Sequence, residues 1–178
     1  MLSLVMEGPA GTGAVATSAR LTDLAGALVQ EERLIEELRQ ALLRQRAGMA
    51  TGDLESIDGS DYAIARTRLT LDEARRRRAS LATAVVGRPG VALSDLESFV
   101  GVLPAPLHAA REAVHRAAEV TAQDLAINQR MIRQALEAGD AFLQQLFSSA
   151  AENHRRAHPD LRPAGSRPSD PPPKGGTR

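Results

Sequence analysis

The sequence predicts an all-α fold: an elongated antiparallel helical bundle, built from a long helical hairpin and a longer C-terminal helix, between disordered termini. Three observations predict it. Ala, Leu, Arg, Glu and Gln fill long uninterrupted segments, and these residues lose least on entering a helix. The β-branched residues are scattered and never alternate over a useful length, so no segment reads as a strand. The only aromatics are Tyr62, Phe99, Phe142 and Phe147, which is too few large rings for a thick core and suits seams of Leu and Ala between helices.

Punctuation divides the chain. Residues 1–17, with Gly8, Pro9, Gly11 and Gly13, carry no periodic pattern and read as a flexible lead-in. The bundle occupies 18–157, and the Pro-rich stretch 158–178 reads as a disordered tail that cannot bury enough apolar surface to order itself. In the first helix Leu21, Leu24, Leu28, Ile35, Leu38, Leu42 and Met49 recur at steps of three and four, with Glu31 and Gln45 filling the two gaps. It is expected to end near Gly48 to Gly52. Asp53 is a good N-cap for a second helix to about Val86, whose face is Leu54, Ile57, Ile64, Leu71 and Val85, interrupted by Arg68, Arg75 and Arg78. Gly87-Arg88-Pro89-Gly90 stops it. Ser94-Asp95-Leu96-Glu97 matches a capping box before a short helix to about Leu103, which Pro104 and Pro106 end. The third long helix then runs to about Ala151, with the seam Leu107, Arg111, Val114, Ala118, Thr121, Leu125, Asn128, Ile132, Ala135, Gly139, Phe142 and Leu146.

This last helix is asymmetric. Before Leu125 its apolar stripe is narrow and rich in alanine. After it, Ile127, Met131, Ala135, Phe142 and Leu146 occupy one side and Ile132, Leu136, Leu143 and Phe147 the adjacent side. Together they cover about half the circumference, against the ~100° of an ordinary surface helix. At 1.5 Å per residue the last helix is expected to be roughly 70 Å long and the first two roughly 45–50 Å, so that an apolar end overhangs the hairpin. Such a strip is a partner site, unless a break at Gly139-Asp140 folds the end back or a homodimer covers it.

Order and motifs resemble the FlgN-type flagellar export chaperones. The likeness lies in Gln30-Glu31-Glu32-Arg33-Leu34-Ile35-Glu36-Glu37-Leu38, in Gly52-Asp53-Leu54, in the short helix after a Gly/Pro break, and in Asn128-Gln129-Arg130-Met131-Ile132 with its apolar continuation to Leu146. It covers residues 20–150. The resemblance implies a cytoplasmic chaperone, without catalytic residues or cofactor, that binds the C-terminal segments of hook–filament junction proteins. It assigns client binding to about residues 125–147, with Leu125, Asn128, Ile132, Leu136, Leu143 and Phe147 as the contact residues. It also implies contact with the export gate or ATPase complex. The family docks on the gate through a C-terminal tyrosine, whereas the only tyrosine here is Tyr62, leaving Phe142 and Phe147 as the aromatics at that end.

Other chemistries are poorly served. The 22 basic and 22 acidic residues cancel, so no global field holds a polyanion, and Arg75 to Arg78 point around most of a helix instead of forming one basic face. Nucleic-acid binding is not expected. Cysteine is absent, which removes disulfides, thiol nucleophiles and thiolate metal sites. His154 and His158 stand four apart without a third metal ligand, and His108 and His115 lack a nucleophile in any recognisable motif. Gly8-Pro9-Ala10-Gly11-Thr12-Gly13 lacks the Lys-Ser/Thr of a phosphate loop. No apolar stretch approaches the ~20 residues of a membrane span. A structural coiled-coil scaffold fits the heptads equally well, and a helical-hairpin secretion effector is disfavoured by the absence of tryptophan. Asn128, a polar residue in a seam, either sets register against another buried polar group or bonds the backbone of a bound segment.

Overall fold

The computed structural model describes residues 10–157, with side chains from Val15 onward. The elements are α1 (Ala10–Thr51), α2 (Leu54–Val86), a 3₁₀ turn (Leu93–Asp95), α3 (Leu96–Val100) and α4 (Ala105–Ala157). The all-α expectation holds. Among the described residues there is no strand, and no helix is long and apolar enough to cross a membrane. The chain divides into two compact units, residues 1–131 and 132–178, with the boundary inside α4.

The helix ends follow local chemistry. The side chain of Asp53 accepts from the Ser56 amide at 3.1 Å, and Gly87 closes α2 in the left-handed region at φ 75°, its N–H donating to the Thr83 carbonyl. Between α1 and α2 the backbones approach closely at Gly48. A Cβ there would stand 3.0 Å from Ile57 Cγ1 and 3.2 Å from the Asp53 carbonyl, so glycine permits the tight turn. Pro106 lies in the first turn of α4, where its missing N–H costs nothing.

Four sequence expectations are corrected. The lead-in 1–17 is too long, because α1 already begins at Ala10. Once Pro9 is passed, Ala14, Ala16 and Ala19 supply enough propensity to carry a helix across Gly11 and Gly13; residues 1–9 and the tail 158–178 lie outside the described residues. The third long helix continues to Ala157. The capping box does not form: Ser94 Oγ donates to Asp95 Oδ1 at 2.9 Å, and α3 starts at Leu96 without a side-chain cap. Leu54 is on the exposed side of α2.

In the first unit the apolar core gathers at one end. Leu24, Leu28, Leu34 and Ile35 of α1 meet Leu71 and Ala82 of α2, Leu96 and Leu103 around α3, and Leu107, Ala110 and Val114 of α4. Glu31 sits within this seam, 2% exposed, and its Oε1 accepts from Arg78 at 2.9 Å and pairs with Arg75 at 3.5 Å. Two of the three arginines that interrupt the α2 face, Arg75 and Arg78, are therefore the partners of a gap in the α1 face. In the second unit the described segment is wholly helical, and every residue from Ile132 to Ala157 is exposed.

Candidate functional site: a polar clasp and an exposed apolar strip

Two features stand out. The first is a polar clasp in the first unit, where α4 meets the later half of α1. Asp124 and Asn128 are four apart and share a face of α4; Arg39 and Arg46 are seven apart and share a face of α1. Arg46 Nε donates to Asn128 Oδ1 at 2.9 Å, and its Nη2 donates to Asp124 Oδ1 at 2.8 Å and to the Asp124 carbonyl at 3.1 Å. Arg39 Nε donates to Asp124 Oδ2 at 3.0 Å. Asn128 Nδ2 donates to the Leu42 carbonyl at 2.7 Å and to Gln45 Oε1 at 2.8 Å, while Gln45 donates in turn to Asp61 of α2.

The clasp is electrostatically settled. Hydrogen bonding from Arg46 holds the Asp124 carboxyl below its ordinary value, partial burial opposes this, and Arg39 reinforces it. The Arg39 guanidinium is raised correspondingly, chiefly by its bond to Asp124. Asn128 is 1% exposed and spends both amide hydrogens and its carbonyl inside the bundle. Both of its donors are spent within the bundle and its side chain is buried, a placement that suits a register-setting residue and keeps it out of reach of a bound segment. Leu125, one step round the helix, is turned out and 42% exposed, because Asp124 takes the inward position to meet the two arginines.

The second feature is confined to the second unit. Ile132, Leu136, Leu143 and Phe147 are all exposed, Leu136 by 65% and Phe147 by 72%, and Phe142 and Leu146 are exposed beside them. The helix runs unbroken through Gly139-Asp140, so this end is not folded back at that point. Charged residues are sparse between Gln134 and Ala151, being only Glu137 and Asp140.

Of the residues expected to contact a client, the second unit thus presents four and the first unit presents Leu125, while Asn128 is withdrawn. Sequence reasoning missed Arg39, Arg46 and Asp124. Their signal was present as i+7 arginines on one helix and an i, i+4 Asp/Asn pair on another, but nothing in the sequence says that the two faces meet. The arginine run 75–78 is largely ion-paired, Arg75 and Arg78 to Glu31 and Arg76 to Glu73. Among the described residues no three His, Cys, Asp or Glu side chains come together as a metal-binding group. The chain matches no protein-family model, no curated protein and no solved structure.

Proposed function

We propose that the chain is a non-catalytic export chaperone of the FlgN type, acting in the cytoplasm, which holds an apolar helical segment of a hook–filament junction protein against the strip Ile132, Leu136, Leu143 and Phe147. The observation that carries this reading is the strip itself. Large apolar side chains repeat at helical spacing along a segment in which every described residue is exposed. Leaving them in water forgoes about 1.5–3 kcal/mol for each fully buried Leu or Phe. A contiguous apolar surface of this kind marks an interaction site, and an amphipathic helix laid along it is the recognition mode that fits its 3–4 spacing. Neighbouring Gln134, Gln144 and Gln145 give the strip a polar, uncharged margin.

The test is the double substitution Leu136→Ser and Leu143→Ser, with binding to a C-terminal peptide of a hook–filament junction protein measured by calorimetry. Binding is expected to weaken by about two decades, and the thermal transition is expected to stay within about 1 °C of the parent because both residues are exposed. Unchanged binding, or melting of the double variant, would sink the assignment of this strip to a client.

A further inference from the structure

We propose that a cleft in the first unit, separate from the strip, binds a phosphate group, either free or carried by a small organic monoester. The cleft measures about 550 Å³ and lies where α1, α2, the 3₁₀ turn, α3 and α4 come together. That is the size of a small-molecule site. Arg75 and Arg78 of α2 and Arg111 of α4 line it, together with Glu31 of α1. Arg75 and Arg78 are three apart and share a face of α2, whereas Arg76 and Arg77 between them do not line the cleft.

An imbalance of hydrogen bonds points to the ligand. A buried carboxylate beside two guanidiniums is ordinarily gripped through both oxygens. Here Arg78 donates to Glu31 Oε1 at 2.9 Å and Arg75 stands 3.5 Å from the same atom, while Oε2 is buried without a hydrogen-bond partner. Among the described residues Arg78 makes only this one hydrogen bond, and Arg75 and Arg111 make ion pairs alone, at 3.5 to 3.8 Å. Pairing built for stability would spend these donors on Oε2. They are left instead for an acceptor that the chain does not supply. Each guanidinium carries five donors, so the acceptor that fits is rich in oxygens. A carboxylate is matched by one bidentate arginine, whereas three arginines suit the three oxygens of a phosphate group. Charge agrees. Three guanidiniums against Glu31 leave two positive charges, and a phosphate monoester carries about −1.5 to −2 at neutral pH. Glu97 and Glu112 also line the cleft, but they are well exposed and stand 3.8 and 3.7 Å from Arg111, beyond hydrogen-bond distance. An anion that bonds Arg111 directly releases them to water. Ile35, Leu93 and Val114 give the rest of the wall an apolar surface for the body of an ester.

The test titrates the full chain, in a buffer without phosphate, with inorganic phosphate, phenyl phosphate and acetate in turn, and follows the amide resonances around Arg75 and Arg111. Half-saturation by at least one of the two phosphates is expected at about 1 mM or below. Arg75→Gln should weaken that binding about tenfold, and the fold should survive because Arg75 is half exposed. Glu97→Gln should strengthen it several-fold by removing a competitor for Arg111. Arg76→Gln and Glu73→Gln make the same changes of charge outside the cleft and should leave the affinity within about twofold, since exposed charges at a distance are screened. Phenyl phosphate binding about tenfold more tightly than inorganic phosphate would identify a monoester as the ligand, and equal binding would identify the free ion. Absence of saturation by either phosphate at about 10 mM, equal weakening by Arg75→Gln and Arg76→Gln, or acetate binding as tightly as phosphate would overturn the proposal.

Discussion

The two ends of the first unit join the same helices by different chemistry. From Leu21 to Leu38, α1 contributes Leu24, Leu28, Leu34 and Ile35 to a continuous apolar cluster. From Arg39 onward the buried positions of α1 are Ala41, Leu42, Gln45 and Gly48, and those of the other two helices at this end are Ser60 of α2 and Thr121, Asp124 and Asn128 of α4. Only Leu42 among them is a large apolar side chain, so little apolar area is buried at this end. Hydrogen bonds and ion pairs take over, and they do something that apolar contact does poorly. Leucines tolerate a shift of one turn, whereas Arg46 can reach Asp124 and Asn128 together in only one alignment of α1 against α4. The apolar end supplies most of the stability and the polar end fixes the register. Glu31 carries a little of the second role into the first region, since its pairing with Arg75 and Arg78 ties α1 to α2 there.

The largest effect that tests this division is at the apolar end. Leu28 is fully buried, so Leu28→Ala should remove about 2–5 kcal/mol through lost transfer energy and the cavity left behind. In a chain of this size that corresponds to a fall of roughly 10 °C in the melting temperature, readable by circular dichroism at 222 nm. A fall of only a degree or two would mean that the cluster is loosely packed and that the division of labour is wrong.

Much of this architecture is legible in the sequence, and the part that is not has a common cause. The heptad leucines of α1, the Asp53 cap and the Gly87 stop depend on residues close together in the chain, so periodicity and capping rules find them. Glu31 and Gln45 show up as interruptions of the α1 seam, but their partners lie on other helices, Arg78 47 residues away and Asn128 83 residues away. Pattern reading sees the gap without seeing what fills it. The register of α4 fails for the same reason. A hydrophobic pattern turns Leu125 inward, and only the presence of Arg39 and Arg46 on the facing helix makes Asp124 the better choice. The exposed strip was legible because it is a property of one helix.

The polar end yields a smaller, more local effect. Asn128→Ala removes three hydrogen bonds and leaves the Leu42 carbonyl, Gln45 and Arg46 without them, at a cost of about 1–3 kcal/mol. The sharper readout is its distribution. Amide hydrogen exchange should accelerate in residues 39–51 and 121–131 while 21–38 keep their protection. Equal acceleration at both ends would show that the unit opens as one body and that its two ends do not differ in the way argued above.

The smallest effect is the dependence of the clasp on pH, and its sign follows from Asp124. Arg46 and Arg39 lower the folded-state value below the ordinary 3.8 that the unfolded chain retains. A carboxyl depressed in this way binds its proton less readily in the folded state, so its contribution to stability is fully present above about 3.8 and is lost as the pH falls through the folded value. Asp124→Asn keeps the shape and removes the charge, eliminating that increment. Denaturant unfolding of the parent and the Asn variant should therefore differ by a constant amount between pH 5 and 7, about 1–2 kcal/mol for two charge-assisted hydrogen bonds, and the gap should close progressively below pH 4. Taking the difference cancels the other carboxylates except Glu36, which shares Arg39 through a 3.4 Å ion pair; the same comparison in a Glu36→Gln background isolates Asp124. A gap that stayed open down to pH 2 would mean that the side chain acts through packing and that the guanidinium partners of Asp124 contribute no charge-dependent stability to this end of the bundle.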